Sequence, residues 1–337
     1  MMSKDFQELN YLRDILDESL ISFGIEGFVS EGFRTDTTDT FQITTVSGTR
    51  FKKIKDLEQD IAVDLGKNSI RVFKNSNGIF IEVPRESSQI SKLDELIFKL
   101  KNVPKMTAIL GISTEGKPLG IRITSSECPH ILIAGTTGSG KTALLRSFLV
   151  SLAYFNSPNQ LSIILIDPKG RGLKPLEKLP QVHDNVLNDI SEIVEKLNWA
   201  VKEMEARDKK EISEPRIIIA IDELVDLVTV AEDEIRQPLS RLLQRGRQAG
   251  IHVVAGTQKP SAGLLGTNLI PNFPVRLVGA VANKTEARTA TGIAGSGAEL
   301  LNGKGDFLIV ISGITTRFQA AYLDSEGFVK LGNGKGK

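Results

Sequence analysis

The most constraining feature of this 337-residue sequence is a series of short, mostly apolar runs separated by helical patterns. Each run is about as long as one strand, and its apolar character predicts burial on both faces of a sheet. Strands that alternate with helices are joined by right-handed crossovers, so the pattern predicts a parallel sheet with helices on both sides. The five runs are Ile131–Ala134, Leu161–Ile166, Arg216–Ile221, Ile251–Gly256 and Val275–Val281.

The residues before this series follow a different pattern. Apolar residues at helical spacing predict helices over Phe6–Phe23 and Ile54–Leu65. Alternating apolar and polar residues predict strands at Phe41–Val46, Ser69–Phe73 and Gly78–Val83. This mixture of short helices and strands predicts a small α+β domain.

The predicted domains are therefore an α+β domain over residues 1–104, an α/β domain over residues 105–330 and a flexible tail over residues 331–337. Two β-type runs near the end of the α/β domain, Phe307–Ile311 and Thr315–Tyr322, are separated by a Ser-Gly turn. They predict a terminal hairpin.

Composition excludes several classes of protein. With 42 Lys and Arg against 41 Asp and Glu, the net charge is +1, which excludes a uniformly basic protein that coats DNA. The single cysteine, Cys128, cannot form an intramolecular disulfide, which excludes the disulfide-stapled secreted class. Charged residues interrupt the apolar runs near the start, and no stretch approaches the roughly 18 apolar residues that span a bilayer. We therefore expect a cytoplasmic enzyme with no membrane segment in this chain.

The segment after the first apolar run fits the Walker A pattern G-x-x-x-x-G-K-[ST]. Its glycines let backbone N–H groups converge on phosphate oxygens, and the helix that follows adds the positive end of its dipole. Lys141 is expected to reach the β- and γ-phosphates of ATP, and Thr142 to bind Mg²⁺. The alternative, a glycine-rich turn with a surface lysine, is disfavoured by the strand–turn–helix context. The predicted nucleotide-binding residues are Gly135, Thr136, Thr137, Gly138, Ser139, Gly140, Lys141, Thr142 and Ala143.

Polar residues also follow the third and fourth apolar runs. Beside a P-loop, Asp222 is expected to hold Mg²⁺ and Glu223 to polarise the attacking water. The alternative is that this acidic pair caps the following helix. Gln258 follows the fourth run and offers a neutral amide that can sense the γ-phosphate; the alternative is a hydrogen bond that only fixes the loop.

These motifs, in this order and spacing, resemble the FtsK/SpoIIIE family of DNA translocases. The front domain, through Ile54–Ala62 and Ile81–Pro84, is similar to the small α subdomain of that family. The resemblance therefore covers most of the chain, and its motifs together are more specific than the P-loop alone. The matching blocks are Pro129–Lys141, Ile166–Lys169, Ile221–Leu227, Gln244–His252, Thr257–Pro260 and Asn272–Arg276.

The resemblance implies a RecA-like P-loop domain that binds ATP and Mg²⁺ at the subunit boundaries of a homo-hexameric ring. Double-stranded DNA would pass through the ring and be contacted without sequence preference. Catalysis would involve Lys141, Glu223, Gln258 and an arginine from the neighbouring subunit. Arg288 occupies the place of that arginine; the alternative for it is an ordinary surface charge. The weaker candidates are Arg276, Arg245 and Arg247.

Two segments are candidates for DNA contact. The loop Lys259–Asn268 has a composition that suits a pore element, although ordinary solvated loops share it. A basic cluster, Lys169, Arg171 and Lys174, would be repeated by a ring, so a nearly neutral subunit could still build a positive channel.

Two functional alternatives remain open. A related motor could move single-stranded DNA or proteins in conjugation or secretion, and an ATP-dependent scaffold could organise partners without moving anything. Nothing in the sequence resembles the membrane-spanning region or the DNA-reading winged helix of the family. We therefore expect neither membrane anchoring nor sequence reading from this chain. The histidines show no metal-ligand spacing and are expected to be structural.

Overall fold

The computed structural model describes residues 4–34, 38–67, 69–75, 77–85, 91–114, 116–260, 263 and 269–332. The chain divides into two units, Met1–Ile90 with Ser113–Lys117, and Ser91–Ile112 with Pro118–Lys337. This division lies nearer the N-terminus than the predicted boundary at residue 104. The reason is the helix after Ser91, which buries Leu93, Leu96 and Ile97 in the core of the second unit.

The first unit is a four-stranded antiparallel sheet with helices, which confirms the predicted α+β character. The strand order is β1-β2-β4-β3. Leu16 and Leu20 of the first helix are buried in the same core as Phe41 and Ile81 of the sheet. The elements are α1 (Lys4–Ser22), β1 (Gly27–Arg34), β2 (Thr38–Thr45), α2 (Phe51–Lys55), α3 (Glu58–Asp64), β3 (Arg71–Asn75) and β4 (Gly78–Pro84).

The structure differs from the prediction for this unit in two places. Strand β1 is not predicted, because glycines interrupt its alternation and its pairing with β2 shifts between Val29 and Gly32. Gly32 is required there, since a Cβ atom would collide with the ring of Phe41. The single predicted helix over Ile54–Leu65 is two short helices, α2 and α3.

The second unit is built on a nine-stranded sheet. Each apolar run that the sequence identifies contains one of its strands, although the fifth strand ends at Val278 rather than at the predicted Val281. The elements are α4 (Leu93–Lys99), β5 (Thr107–Ser113), β6 (Pro118–Arg122), β7 (Ile131–Ala134), α5 (Lys141–Phe155), β8 (Leu161–Ile166), α6 (Ile190–Lys210), β9 (Arg216–Ile221), α7 (Leu224–Val230), α8 (Glu232–Arg245), β10 (Ile251–Thr257), β11 (Val275–Val278), α9 (Lys284–Thr291), β12 (Asp306–Ile311), β13 (Ile314–Ala320) and α10 (Ser325–Gly332).

The strand order of this sheet is β6-β5-β13-β12-β11-β7-β10-β9-β8. The five strands from β11 to β8 are mutually parallel, which confirms the predicted α/β architecture. Their carboxyl ends therefore lie along one edge of the sheet, where the P-loop, Asp167, Asp222 and Gln258 directly follow the strands. This edge brings together residues that are far apart in the sequence.

The end of the second unit confirms the predicted hairpin. Strands β12 and β13 pair antiparallel, and Ser312 and Gly313 between them have φ of 50° and 79°. Two positive φ values match the turn that follows the natural twist of a hairpin. The predicted tail is wrong at its start, because Leu331 is buried within α10. Residues 333–337 lie outside the described residues.

None of the described helices is both long enough and apolar enough to cross a membrane.

Candidate functional site

The P-loop connects β7 to α5 at the carboxyl edge of the parallel strands. Gly140 directly precedes α5 with a left-handed φ of 97°. A Cβ atom on Gly140 would lie 2.9 Å from the backbone nitrogen of Gly305, so both its conformation and its packing require glycine. The predicted residues from Gly135 to Ala143 thus form the strand–turn–helix arrangement that a phosphate-binding loop needs.

Backbone hydrogen bonds fix the P-loop to two neighbouring segments. The Thr136 N–H donates to the Ala280 carbonyl oxygen at 2.8 Å, and the Gly305 N–H donates to the Ser139 carbonyl oxygen at 2.8 Å. The Ser139 hydroxyl is buried and has no hydrogen-bond partner among the described residues. The loop is therefore held in shape while one of its own polar groups stays unpaired.

Lys141 lies between two carboxylates. Its Nζ is 3.1 Å from Asp222 Oδ1 and 3.4 Å from Glu223 Oε2, and the lysine is only 5% exposed. A buried ammonium requires partners of opposite charge, which these acids supply. The structure thus brings together the first residue of α5 and the two acids that follow β9.

The Thr142 hydroxyl lies beside the first of these acids. Its Oγ1 is 3.2 Å from Asp222 Oδ1 and 3.1 Å from Oδ2. A hydroxyl and a carboxylate are oxygen ligands of the kind that Mg²⁺ takes when nucleotide phosphates and water complete its shell. Within the described parts of the chain, no group of three or more His, Cys, Asp or Glu residues could hold a metal by itself. The pair fits a metal that is shared with a bound nucleotide.

Glu223 has a left-handed backbone, with φ of 78° and ψ of 68°. Such a conformation is unfavourable for a residue with a Cβ atom and is concentrated at functional sites. Glu223 precedes α7, but its side chain makes no capping hydrogen bond to that helix. Its Oε1 instead accepts from the Gln258 N–H at 2.9 Å. The side chain is therefore directed into the site rather than used as a helix cap.

Gln258 connects this acid to the P-loop. Its backbone binds Glu223, and its side-chain Oε1 accepts from the Thr137 hydroxyl at 3.1 Å. The loop-fixing hydrogen bond considered for Gln258 is thus present. Because that bond reaches a P-loop residue, it also couples the amide to the place where the phosphates would lie.

Sequence patterns alone do not identify the turn that follows β8 as part of the site. The buried carboxylate of Asp167 accepts from the backbone N–H groups of Lys169 at 3.0 Å and Leu173 at 3.1 Å, which shapes the turn. Arg146 Nε donates to the Gly172 carbonyl oxygen from α5. A Cβ atom on Gly172 would overlap Asp222 Oδ2 and lie 3.2 Å from Thr142 Cγ2. The turn therefore packs directly against the candidate metal ligands.

This packing predicts that a Gly172→Ala variant loses about 10²-fold in ATP turnover, because the new methyl group must displace the Asp222 carboxylate. Gly172 does not have a left-handed backbone, so alanine causes no conformational strain there. Steady-state kinetics at varied Mg²⁺ measure the effect. A Gly332→Ala variant, where the nearest atom to the added Cβ is 3.8 Å away, is the matched control. Unchanged ATP turnover of the Gly172→Ala variant would contradict the assignment of Asp222 as a metal ligand.

The arginine candidates have different surroundings. Arg288 is exposed on α9 and forms no ion pair within the described part of the chain. The guanidinium of Arg276 is occupied by carbonyl oxygens of its own unit, including Phe273 at 3.3 Å and Ala290 at 3.4 Å. Burial lowers the pKa of Arg276. Arg245 is paired with Asp208 at 2.9 Å. Among the described residues Arg288 forms no ion pair, and the fourth candidate, the exposed Arg247, forms none either.

The candidate DNA-contacting segments are only partly described. Gly263 and the first two residues of the loop Lys259–Asn268 are described, and the rest of it lies outside the described residues. In the basic cluster, Arg171 and Lys174 are exposed, and Lys169 Nζ is 2.9 Å from Asp226 Oδ2. That hydrogen bond raises the pKa of Lys169, which stays charged.

The buried histidines lie at the opposite end of the strands. His130 Nδ1 accepts from the Val253 N–H at 3.1 Å, and burial lowers the pKa of His130 to about 3. The ring of His252 lies 6.4 Å away. Both residues are 1% exposed, so they pack within the fold as the sequence predicts.

Two family models match the chain. The FtsK/SpoIIIE family model matches residues 99–214 and 206–262, and the FtsK alpha domain model matches residues 2–85. The first of these matches includes the P-loop, Asp222, Glu223 and Gln258. The second covers most of the first unit.

Relatives with known names agree with these models. DNA translocase SftA of Bacillus subtilis (strain 168) is 32% identical over 329 residues, which are 89% of this chain and 34% of that protein. DNA translocase FtsK of Staphylococcus epidermidis (strain ATCC 35984) is 30% identical over 344 residues, which are 93% of this chain and 43% of that protein. The chain therefore spans less than half the length of either relative.

A solved structure shows the same fold. The pCW3 conjugation coupling protein TcpA, in its monomer form with ATPγS, has a TM-score of 0.62 and 21% identity, and the match covers 94% of this chain and 96% of that chain. The two chains therefore share a fold over nearly their whole length. With the family models and the site geometry, these similarities show that the chain belongs to the FtsK/SpoIIIE family.

Proposed function

We propose that this chain hydrolyses ATP and uses the energy to move double-stranded DNA, without sequence preference, as one subunit of a hexameric ring. The single observation that carries the ATPase part is the convergence of Lys141, Thr142, Asp222 and Glu223 at one edge of the sheet. The two carboxylates lie 81 and 82 residues after Lys141 in the sequence.

Each side chain has a role that follows from its position. Lys141 would turn from its two carboxylates to the β- and γ-phosphates, which carry more negative charge. Thr142 and Asp222 would hold Mg²⁺, which when bound offsets charge on the phosphate oxygens. Glu223, released by the lysine but still bonded to the Gln258 N–H, would orient and polarise the attacking water.

Gln258 would report the loss of the γ-phosphate. Its amide accepts from Thr137 in the P-loop, and its backbone holds Glu223, so a change at the phosphates alters both bonds. The DNA loop that begins at Lys259 directly follows it in the chain. This adjacency supports a mechanical connection between nucleotide state and DNA contact.

Similarity to named DNA translocases supports DNA as the substrate. Exposed basic residues support contact with the phosphate backbone, which is independent of sequence. In a ring, each such residue is repeated around the channel, so a net charge of +1 per subunit is compatible with a positive pore. Arg288 is exposed and forms no ion pair with the residues that the structure describes, which supports completion of the site by a neighbour.

The test is ATP turnover with linear duplex, single-stranded DNA or no DNA, at varied salt. We expect duplex to stimulate the wild-type protein, and a Lys141→Ala variant to show no turnover under any condition. Lys209→Ala, which removes an exposed lysine from α6, should behave as the wild type. Movement itself is measured by displacement of the third strand from a triplex. Turnover that is indifferent to duplex, or stimulated more by single strands, would contradict the proposal.

A further inference from the structure

A cavity of about 340 Å³ lies at the amino-terminal edge of the parallel strands. This edge is the end opposite to the P-loop: His252 is near the start of β10, whereas Gln258 directly follows its end. Arg216 is the first residue of the neighbouring strand β9. The cavity is lined by Thr124, Ser213, Arg216, Arg247, Gln248 and His252.

A tight turn fixes the shape of this cavity. The Gly250 N–H donates to the Arg247 carbonyl oxygen at 3.1 Å, and the Gly250 carbonyl oxygen accepts from Ile217 at 2.9 Å. Gly250 has φ of 72°, and a Cβ atom there would collide with the Ser213 carbonyl oxygen. The turn that carries Arg247 is thereby held close to the segment that leads into β9.

The cavity carries two positive charges that form no ion pair with the described residues. Arg216 and Arg247 form no ion pair within the described ranges of the chain, whereas Arg245, two residues before Arg247, is paired with Asp208. Burial lowers the pKa of Arg216, and the charge of Glu214 opposes that effect. A half-buried guanidinium that is not in direct contact with a carboxylate is energetically unfavourable, and an anion in the cavity would relieve this cost.

His252 adds no charge of either sign to the wall. Its Nδ1 is 2.9 Å from the Pro129 carbonyl oxygen, which can only accept, so Nδ1 carries the proton. Burial lowers the pKa of His252 to about 4, and the charges of Arg216 and Arg247 act in the same direction. The ring is therefore neutral near pH 7, and its Nε2 has no hydrogen-bond partner among the described residues.

We propose that this cavity binds a phosphoryl dianion, such as inorganic phosphate or the terminal phosphate of a small molecule. Two guanidinium groups match a double negative charge. Together with the hydroxyls of Thr124 and Ser213 and the amide of Gln248, they offer more donors than the two oxygens of a carboxylate can use. A phosphodiester within duplex DNA carries a single charge, and its attachment to a rigid rod keeps it out of a recessed cavity.

Calorimetric titration with inorganic phosphate tests this proposal independently of ATP turnover. In the nucleotide-free wild-type protein we expect two binding events, one at the P-loop and one in the cavity. The Lys141→Ala variant should bind phosphate more weakly at the P-loop, so that one equivalent of phosphate still binds, in the cavity. Adding Arg247→Gln to that variant should raise the remaining dissociation constant at least tenfold, since charge-assisted hydrogen bonds are lost. Arg245→Gln in the same background removes a nearby charge and should change the constant less than twofold.

Three outcomes would overturn the assignment. One is the absence of phosphate binding once Lys141 is replaced. Another is equal weakening by Arg247→Gln and Arg245→Gln, which would indicate a diffuse positive surface. The third is displacement of phosphate by a duplex oligonucleotide whose own binding depends on Arg247, which would assign the cavity to the DNA backbone. Arg216→Gln is a further variant. Arg247 is preferred for the main test because it is exposed and lies outside the strands, whereas Arg216 is the first residue of β9.

Discussion

A Glu223→Gln variant is expected to bind ATP as tightly as the wild-type protein and to hydrolyse it about 10²–10⁴-fold more slowly, because the amide cannot act as a general base. The substitution keeps the size of the side chain, and the amide oxygen can still accept from the Gln258 N–H. Binding is measured by titration with a fluorescent nucleotide, and hydrolysis by single-turnover kinetics. Retained ATP binding together with lost hydrolysis would distinguish a general base at Glu223 from a residue that only maintains the structure.

Asp226→Asn is the matched control for this variant. Asp226 lies one turn further along in α7, and its exposed carboxylate pairs with Lys169 rather than with the P-loop lysine. The Asp226→Asn substitution should change the rate of single-turnover ATP hydrolysis by less than a factor of three. Hydrolysis by Glu223→Gln at a rate near that of the wild type would show that another group activates the water.

An Arg288→Ala variant is expected to lose about 10³–10⁵-fold in turnover while it retains ATP binding, if this arginine stabilises transition-state charge in the site of a neighbouring subunit. The side chain is exposed and forms no ion pair within the described residues, so its removal should leave the stability of the subunit almost unchanged. Thermal unfolding measures stability, and turnover is measured with saturating duplex.

Mixing two inactive variants distinguishes action in a neighbour from action within one subunit. In a mixed ring, some sites combine the intact Lys141 of an Arg288→Ala subunit with the intact Arg288 of a Lys141→Ala subunit. We expect turnover to reappear in such mixtures. Lys284→Ala, which removes another exposed charge from α9, should have no effect. Mixtures that stay inactive while each variant still assembles would remove Arg288 from this role.

The parallel strands and the P-loop could be predicted from the sequence because each depends on local chemistry. A buried strand such as Leu161–Ile166 must be apolar, and the turn before α5 must contain glycine to reach its left-handed conformation. The convergence of Asp222 with Lys141 follows from topology, since parallel strands end at one edge of their sheet.

Other features depend on contacts that no local pattern records. Gly172 is one glycine among 30, and only the folded chain shows that its missing side chain makes room for the Asp222 carboxylate. Strand β1 is hidden by the bulge at Gly32, whose neighbour in space is Phe41. Helix α4 joins the second unit because Leu93 and Leu96 are buried there, although its periodicity would suit either unit. Each of these depends on a partner distant in the sequence.

The position of β13 between β5 and β12 has a consequence for synthesis on the ribosome. The β5–β6 hairpin emerges early, but the strand that joins it to the rest of its sheet begins only at Ile314. Until then the edge of β5 presents unpaired backbone groups, which favour association with other chains. Pairings this distant in sequence also form slowly, because a long loop must close first. The β5–β6 hairpin therefore keeps one edge open to other chains until Ile314 and the residues after it have been synthesised.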